Sequence, residues 1–157
     1  MLIKGLVDED LLQYKKPSMF IIMPKCSFKC DREYGSKICQ NSSLAQAQTL
    51  EVKNEDIINR YLNNPITSAI VFGGLEPFES WDDLSKFIKE FRKVSDDDIV
   101  IYTGFNKDEI SANILLLKKF KNIIVKFGRY IPNQKSHYDN VLKINLASDN
   151  QYGEIIS

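Results

Sequence analysis

Three things are scarce in this sequence. The first is charge of one sign: 21 basic side chains balance 21 acidic ones, for a formal net charge of zero. A protein that works by gripping nucleic-acid backbone needs a basic footprint, so that class is excluded. The second is long apolar runs. Runs such as Met19–Met23, Ala69–Phe72 and Ile123–Val125 are short, whereas a spanning helix needs about 20 apolar residues, so no membrane role is expected. The third is histidine and cysteine, with one histidine and three cysteines in 157 residues. A chain of this length buries enough surface to stand without disulfide staples. Asp8, Glu9 and Asp10 occupy the early residues without the apolar core of an export signal. The expected compartment is the cytoplasm, where thiols stay reduced. No repeat, low-complexity stretch or linker divides the chain, so residues 1–157 are expected to form one domain.

Short apolar runs alternate with helical patterns. Ser18–Pro24, Ile66–Phe72, Asp98–Tyr102 and Asn122–Val125 are β-rich, and Val141–Leu146 alternates with a period of two. From Ser80, the residues Trp81, Leu84, Phe87, Ile88, Phe91 and Val94 fall on one helical face. Ser80 is the expected N-cap there, followed by Asp82 and Asp83. Asn106 opens a second helix, with Asp108 and Glu109 in its first turn and Lys118–Lys119 near its end, and Glu55–Leu62 is a third. Strands alternating with helices predict an α/β fold with a mostly parallel sheet. Ligands of such sheets sit at the carboxyl ends of the strands. There the sequence places cysteines after the first strand, Gly73-Gly74 after the second and Thr103-Gly104 after the third.

Cys26, Cys30 and Cys39 share one short loop, which points to a common site. A disulfide with a spare thiol, a zinc site completed by His137 and an iron–sulfur cluster all use such a set. His137 lies far off in a polar stretch, where a lone histidine is ordinarily solvated. Three thiolates on a 4Fe–4S cluster leave one iron without a protein ligand, and an open position marks a metal site built for chemistry.

The loop resembles that of radical S-adenosylmethionine enzymes, Cys-x3-Cys-x2-Cys with an Asn soon after. Cys26-Ser-Phe-Lys-Cys30 matches the first spacing and Cys39-Gln40-Asn41 the end. Eight residues, Asp31 to Ile38, stand where the family has two. The extra length costs about 1.2 kcal/mol of closure entropy, small beside the on the order of 10 kcal/mol a structural metal returns to folding. Gly73-Gly74-Leu75-Glu76-Pro77 is similar to the family's Gly-Gly-Glu-Pro turn with one insertion. Tyr102-Thr103-Gly104-Phe105, Gly128-Arg129-Tyr130-Ile131 and Ser148-Asp149-Asn150-Gln151 resemble segments of the activating proteins of anaerobic ribonucleotide reductases. Lys126-Phe127 departs from the Val-Asp usual there.

The resemblance implies a partial, truncated (β/α) barrel and an oxidoreductase. It implies a 4Fe–4S cluster on Cys26, Cys30 and Cys39, and S-adenosylmethionine held by Gly73, Gly74, Glu76, Pro77, Thr103, Ile38 and Asn41. A flavodoxin or ferredoxin supplies one electron, the sulfonium is cleaved to methionine and a 5′-deoxyadenosyl radical, and that radical takes hydrogen from a glycine of the reductase large subunit. Another small radical enzyme acting on a different peptide or protein, and a non-enzymatic zinc or iron–sulfur module, are the other readings. Trp81 is expected in core or partner contact, Asp96-Asp97-Asp98 in a solvated turn and Lys126 at a solvated strand end.

Overall fold

The computed structural model describes residues 1–157. In chain order the strands and helices are β1 (Leu2–Ile3), β2 (Gly5–Asp10), β3 (Ser18–Ile22), α1 (Lys29–Tyr34), β4 (Leu50–Glu51), α2 (Asn54–Leu62) and β5 (Ala69–Gly73). Then come α3 (Trp81–Phe91), β6 (Asp98–Tyr102), α4 (Ser111–Leu117), β7 (Ile123–Phe127), β8 (His137–Asp139), β9 (Ile144–Leu146) and β10 (Tyr152–Ile155). The main sheet has six strands in the order β10-β7-β6-β5-β3-β2. Its four inner strands are parallel, and β2 and β10 run antiparallel along the two edges. The sheet is therefore mixed, with the expected parallel βα units at its centre. No helix is long and apolar enough to cross a membrane.

Alternation along each strand sends side chains to two faces. Met19, Ile21, Ile70, Phe72, Ile99, Ile101, Val125 and Phe127 face a core of 23 buried residues shared with α2, α3 and α4. From α3, Leu84, Phe87, Ile88 and Phe91 are buried. Trp81 packs on this core, its ring stacked on Phe78. The other face holds a smaller cluster of seven, in which Ala69, Val71, Val100 and Ile124 meet Tyr14, Leu142 and Leu146.

Several local expectations are corrected. Ser80 caps nothing: its hydroxyl is buried without a partner. Glu76 opens this helical segment instead, accepting the Phe78 N–H at 3.1 Å ahead of a 3-10 turn over Pro77–Ser80. Val94 is exposed, so the buried stripe ends at Phe91. Asn106 does open its segment, in a capping box with Glu109, but α4 stops at Leu117. The alternating run 141–146 is extended only from Ile144. The Asp139 carboxylate captures the N–H groups of Val141 and Leu142 at 3.0 and 2.8 Å, and Lys143 turns to φ 56°. The acidic run before β6 is not simply solvated. Asp97 accepts the Tyr61 hydroxyl at 2.7 Å, and Asp98 accepts Tyr14 at 2.9 Å and pairs with Lys16 at 2.6 Å.

Candidate metal centre

At the carboxyl ends of β3, β5, β6 and β7 lies a cavity of about 460 Å³. Cys26, Cys30 and Cys39 line it together with Asn41, Gly74, Glu76 and Thr103. Gly73, Pro77 and Ile38, predicted for the same site, stand outside the lining. His137 lies in β8 and is not part of the wall, so the fourth zinc ligand of that reading is missing from the site. All three cysteines are free and half-buried.

Local bonds explain how the loop returns its thiols to one place. The Glu76 N–H donates to the Lys25 carbonyl at 2.8 Å, and the Ser27 N–H to Glu79 at 2.9 Å, tying the loop's start to the turn after β5. The Phe28 N–H donates to the Cys26 sulfur at 3.3 Å while Phe28 itself adopts φ 54°, a left-handed conformation that costs about 1–3 kcal/mol for a side-chain residue. The long Cys30–Cys39 segment is closed by Asp31. Its Oδ1 accepts the N–H groups of Ile38 and Cys39, both at 2.8 Å. Sequence reading missed Asp31; an acid directly after the second cysteine, facing a long spacing, is the signal that marks it. Four of the six residues of α1, Asp31 to Tyr34, belong to the insertion, so its first half is helix instead of slack loop.

A second set of contacts fastens α1 to the strand ends. Arg129, buried after β7, donates from Nη2 to Glu109 at 2.6 Å and lies 3.2 Å from Glu33 of α1. Lys29 reaches the same Glu109 oxygen at 3.5 Å. The Arg129 guanidinium holds the Glu109 carboxyl down at about 2. The two tail segments singled out in the sequence meet each other. Asn150 donates to the Arg129 carbonyl at 2.8 Å, and the Ile131 N–H reaches the Ser148 hydroxyl at 3.3 Å. Gly128 sits at φ 102°, where a Cβ would lie 2.7 Å from the Asn150 carbonyl.

Glu76 is the hub of the turns. Oε1 accepts the Thr103 hydroxyl at 2.8 Å and Oε2 the Gly104 N–H at 2.9 Å. Thr103 is thereby turned onto Glu76 and accepts the Phe105 N–H at 3.0 Å. Burial raises the Glu76 pKa, against the pull of these donors. Gly74 has φ 76°, and its Cβ would meet Ile22 at 2.8 Å and Leu44 at 3.1 Å. The glycine therefore admits packing of the segment after Cys39 as well as close approach by a ligand.

Lys126 corrects the expectation of a solvated strand end: it is 8% exposed. It shares the second sheet face with Tyr102, its β6 neighbour in register, and lines the cavity. Its Nζ donates to the Gly128 carbonyl at 3.2 Å and stands 5.7 Å from the Tyr102 ring centroid. Burial lowers its pKa to about 8, while Cys30 and Glu76 pull the other way. Phe127, the position usual for an acid, points to the opposite face and is fully buried in the main core.

Burial pushes the Cys26 thiol up to about 11 and also raises Cys39. These thiols are protonated at neutral pH until a metal displaces the proton. No group of three or more His, Cys, Asp or Glu side chains converges as a single metal ion requires. The three thiols do line one cavity, and the thiolates of a multi-iron cluster bond separate irons instead of converging on one. A family model described as a 4Fe-4S single cluster domain matches residues 18–152. Neither a curated protein nor a solved structure matches the sequence.

Proposed function

Because this chain belongs to the 4Fe-4S single cluster domain family, we propose that Cys26, Cys30 and Cys39 hold its cluster and that the chain is a radical S-adenosylmethionine activase. The observation that carries this reading is the meeting of the three cysteines with Gly74, Glu76 and Thr103 around one cavity at the strand ends. The four parallel strands, crossed over by helices, are read as a truncated (β/α) barrel. The sequence has no fourth cysteine, which leaves one iron for an outside ligand.

A cluster held by Cys26, Cys30 and Cys39 would supply, when bound, one-electron reduction of the sulfonium of S-adenosylmethionine. The chain's own part is placement. Asp31 sets Cys39, the Lys25–Glu76 bond sets Cys26, and Arg129 with Glu109 sets α1, which carries Cys30. The turn at Gly74 borders the cavity and offers backbone to the amino-acid part of the ligand. Leu12, 76% exposed, lies at the same cavity, which suits a substrate presented as a protein segment. The proposed substrate is a glycine loop of an anaerobic ribonucleotide reductase, with a flavodoxin or ferredoxin as donor. Lys126 inside the cavity, at a position where the resembling activators carry Val, favours as second reading a radical enzyme acting on another peptide.

The test is anaerobic reconstitution with iron and sulfide, then reduction with S-adenosylmethionine and the reductase. A brown protein, methionine release and a doublet glycyl-radical signal in electron paramagnetic resonance are expected. Methionine release with no glycyl signal on any such reductase selects the second reading. A colourless, zinc-bound protein overturns both.

A further inference from the structure

A buried lysine is rare unless an anion pairs with it. Lys126 is 8% exposed, yet no carboxylate stands within ion-pair distance of its ammonium. Its one hydrogen bond goes to the Gly128 carbonyl at 3.2 Å, and an ammonium has three N–H donors. Glu76 lines the same cavity, but its oxygens are turned onto Phe78, Thr103 and Gly104. Tyr102 presents its ring at 5.7 Å, and its hydroxyl is engaged by the Gln13 carbonyl. What remains beside the ammonium is the cavity, which Lys126 lines together with Cys26, Cys30 and Cys39.

Three thiolates around a 4Fe–4S core leave a net negative site, and each electron taken up makes it more negative. We propose that Lys126 is the built-in counter-cation of the loaded cluster, stabilising the reduced state and raising the reduction potential. The inference rests on the cysteine assignment above and is independent of S-adenosylmethionine chemistry. In the low-dielectric wall of a cavity a fixed charge acts strongly, and hydrogen bonds and charge near the sulfurs tune such potentials. The β7 strand fixes the face from which the side chain leaves: Lys126 pairs with Tyr102 on one side and Gly153 on the other, and its side chain is buried there.

The reaction measured is uptake of one electron by the oxidised cluster, supplied by dithionite through mediator dyes. Lys126→Met keeps the apolar stem and removes the charge, Lys126→Gln removes the charge with a polar head, and Lys126→Arg keeps the charge. In anaerobic redox titrations without added ligand, both neutral variants are expected to show an equilibrium constant for reduction about tenfold lower, which is a shift of about 59 mV to lower potential. Lys126→Arg is expected to restore most of it. Equal potentials for wild type and Lys126→Met, with full iron content in both, overturn the proposal and leave the lysine to a ligand's carboxylate. A cluster lost only from the Cys26, Cys30 or Cys39 variants keeps the cysteine assignment intact in that case. A second measurement needs no variant. Acetic anhydride labelling of Lys126, read by mass spectrometry, is expected to fall at least fivefold when cluster is loaded into the folded apo chain. Unchanged labelling overturns the proposal as well.

Discussion

On the helix-covered side of the sheet, Ile70, Phe72, Ile99, Ile101, Val125 and Phe127 are fully buried among apolar neighbours. One residue along on the other side, the strand ends carry Gly73, Tyr102 and Lys126, and the turns beyond them carry Glu76 and Thr103. Both regions are buried, but the first contains only groups that gain by leaving water. The second contains a carboxylate and an ammonium, whose burial opposes folding unless partners meet them. The difference teaches that the apolar side stabilises the fold while the cavity side holds polar and charged groups at a cost the apolar side offsets.

The comparison is broken most completely by changing the thiols. Cys26→Ala, Cys30→Ala and Cys39→Ala are each expected to abolish binding of about four irons per chain, while the apo chain keeps its melting temperature within a few degrees. Iron analysis and calorimetry check this, and a full cluster in all three variants would sink the assignment. The mirror experiment is Phe87→Ala on the helix side, where the ring packs edge-on against Phe72 at 5.4 Å. It is expected to cost about 3–5 kcal/mol in urea unfolding without changing which residues hold iron.

Gly74→Val sharpens the boundary between the two regions. Its side chain would strike Ile22 and Leu44 before reaching any ligand. The expected cost is about 1–3 kcal/mol of strain, with faster cluster loss because Leu44 follows Cys39. A variant of unchanged stability that fails only in ligand binding would show that the turn serves the ligand alone. Next in size is Asp31→Ala, which frees the Ile38 and Cys39 N–H groups and is expected to cost about 1–2 kcal/mol locally. Cluster half-life in air, followed by bleaching, should shorten severalfold, with Asp31→Asn intermediate.

The smallest effect concerns acid. Glu109 is held at about 2 from an ordinary 4.5 by Arg129. A depressed carboxyl contributes stability above its unfolded value and loses it as pH falls from there towards the folded value. The partly exposed position of Glu109 limits the contribution to about 1 kcal/mol. Glu109→Gln should therefore be less stable at pH 6 and equal to wild type near pH 2, by urea midpoints. An equal deficit at both pH values would assign the effect to packing.

Legibility of the sequence followed the range of the forces involved. The inner strands were readable as short continuous apolar runs, since both their faces are buried, and α2 and α3 because apolar periodicity reports one-sided burial along a helix. The helical opening at Asn106 was readable because the residues that make it, Asn106 and Glu109, lie within three positions; the structure adds that they form a capping box. Ser80 misled, because a buried carboxylate four residues earlier took over the opening of the helix. The period-two run at 141–146 misled in the same way, since Asp139 offered its backbone a competing turn. The edge strands β2 and β10 are half-exposed and too mixed in composition to announce themselves.

The sequence by itself determined that the cysteine loop and the Gly73-Gly74 and Thr103-Gly104 turns would gather after the inner strands, and it marked the three thiols of one loop as candidate metal ligands. Spacing along a chain and residue type are local properties, and they suffice for that. Tertiary structure alone decided that Asp31 closes the long cysteine segment, that Glu76 joins the turns after β5 and β6, and that Lys126 is enclosed with the cysteines. A lysine's burial depends on which face of which strand it occupies and on what closes over it. Here residues 144–147 and Gln151 complete the wall from far along the chain, and no window of sequence around position 126 contains them.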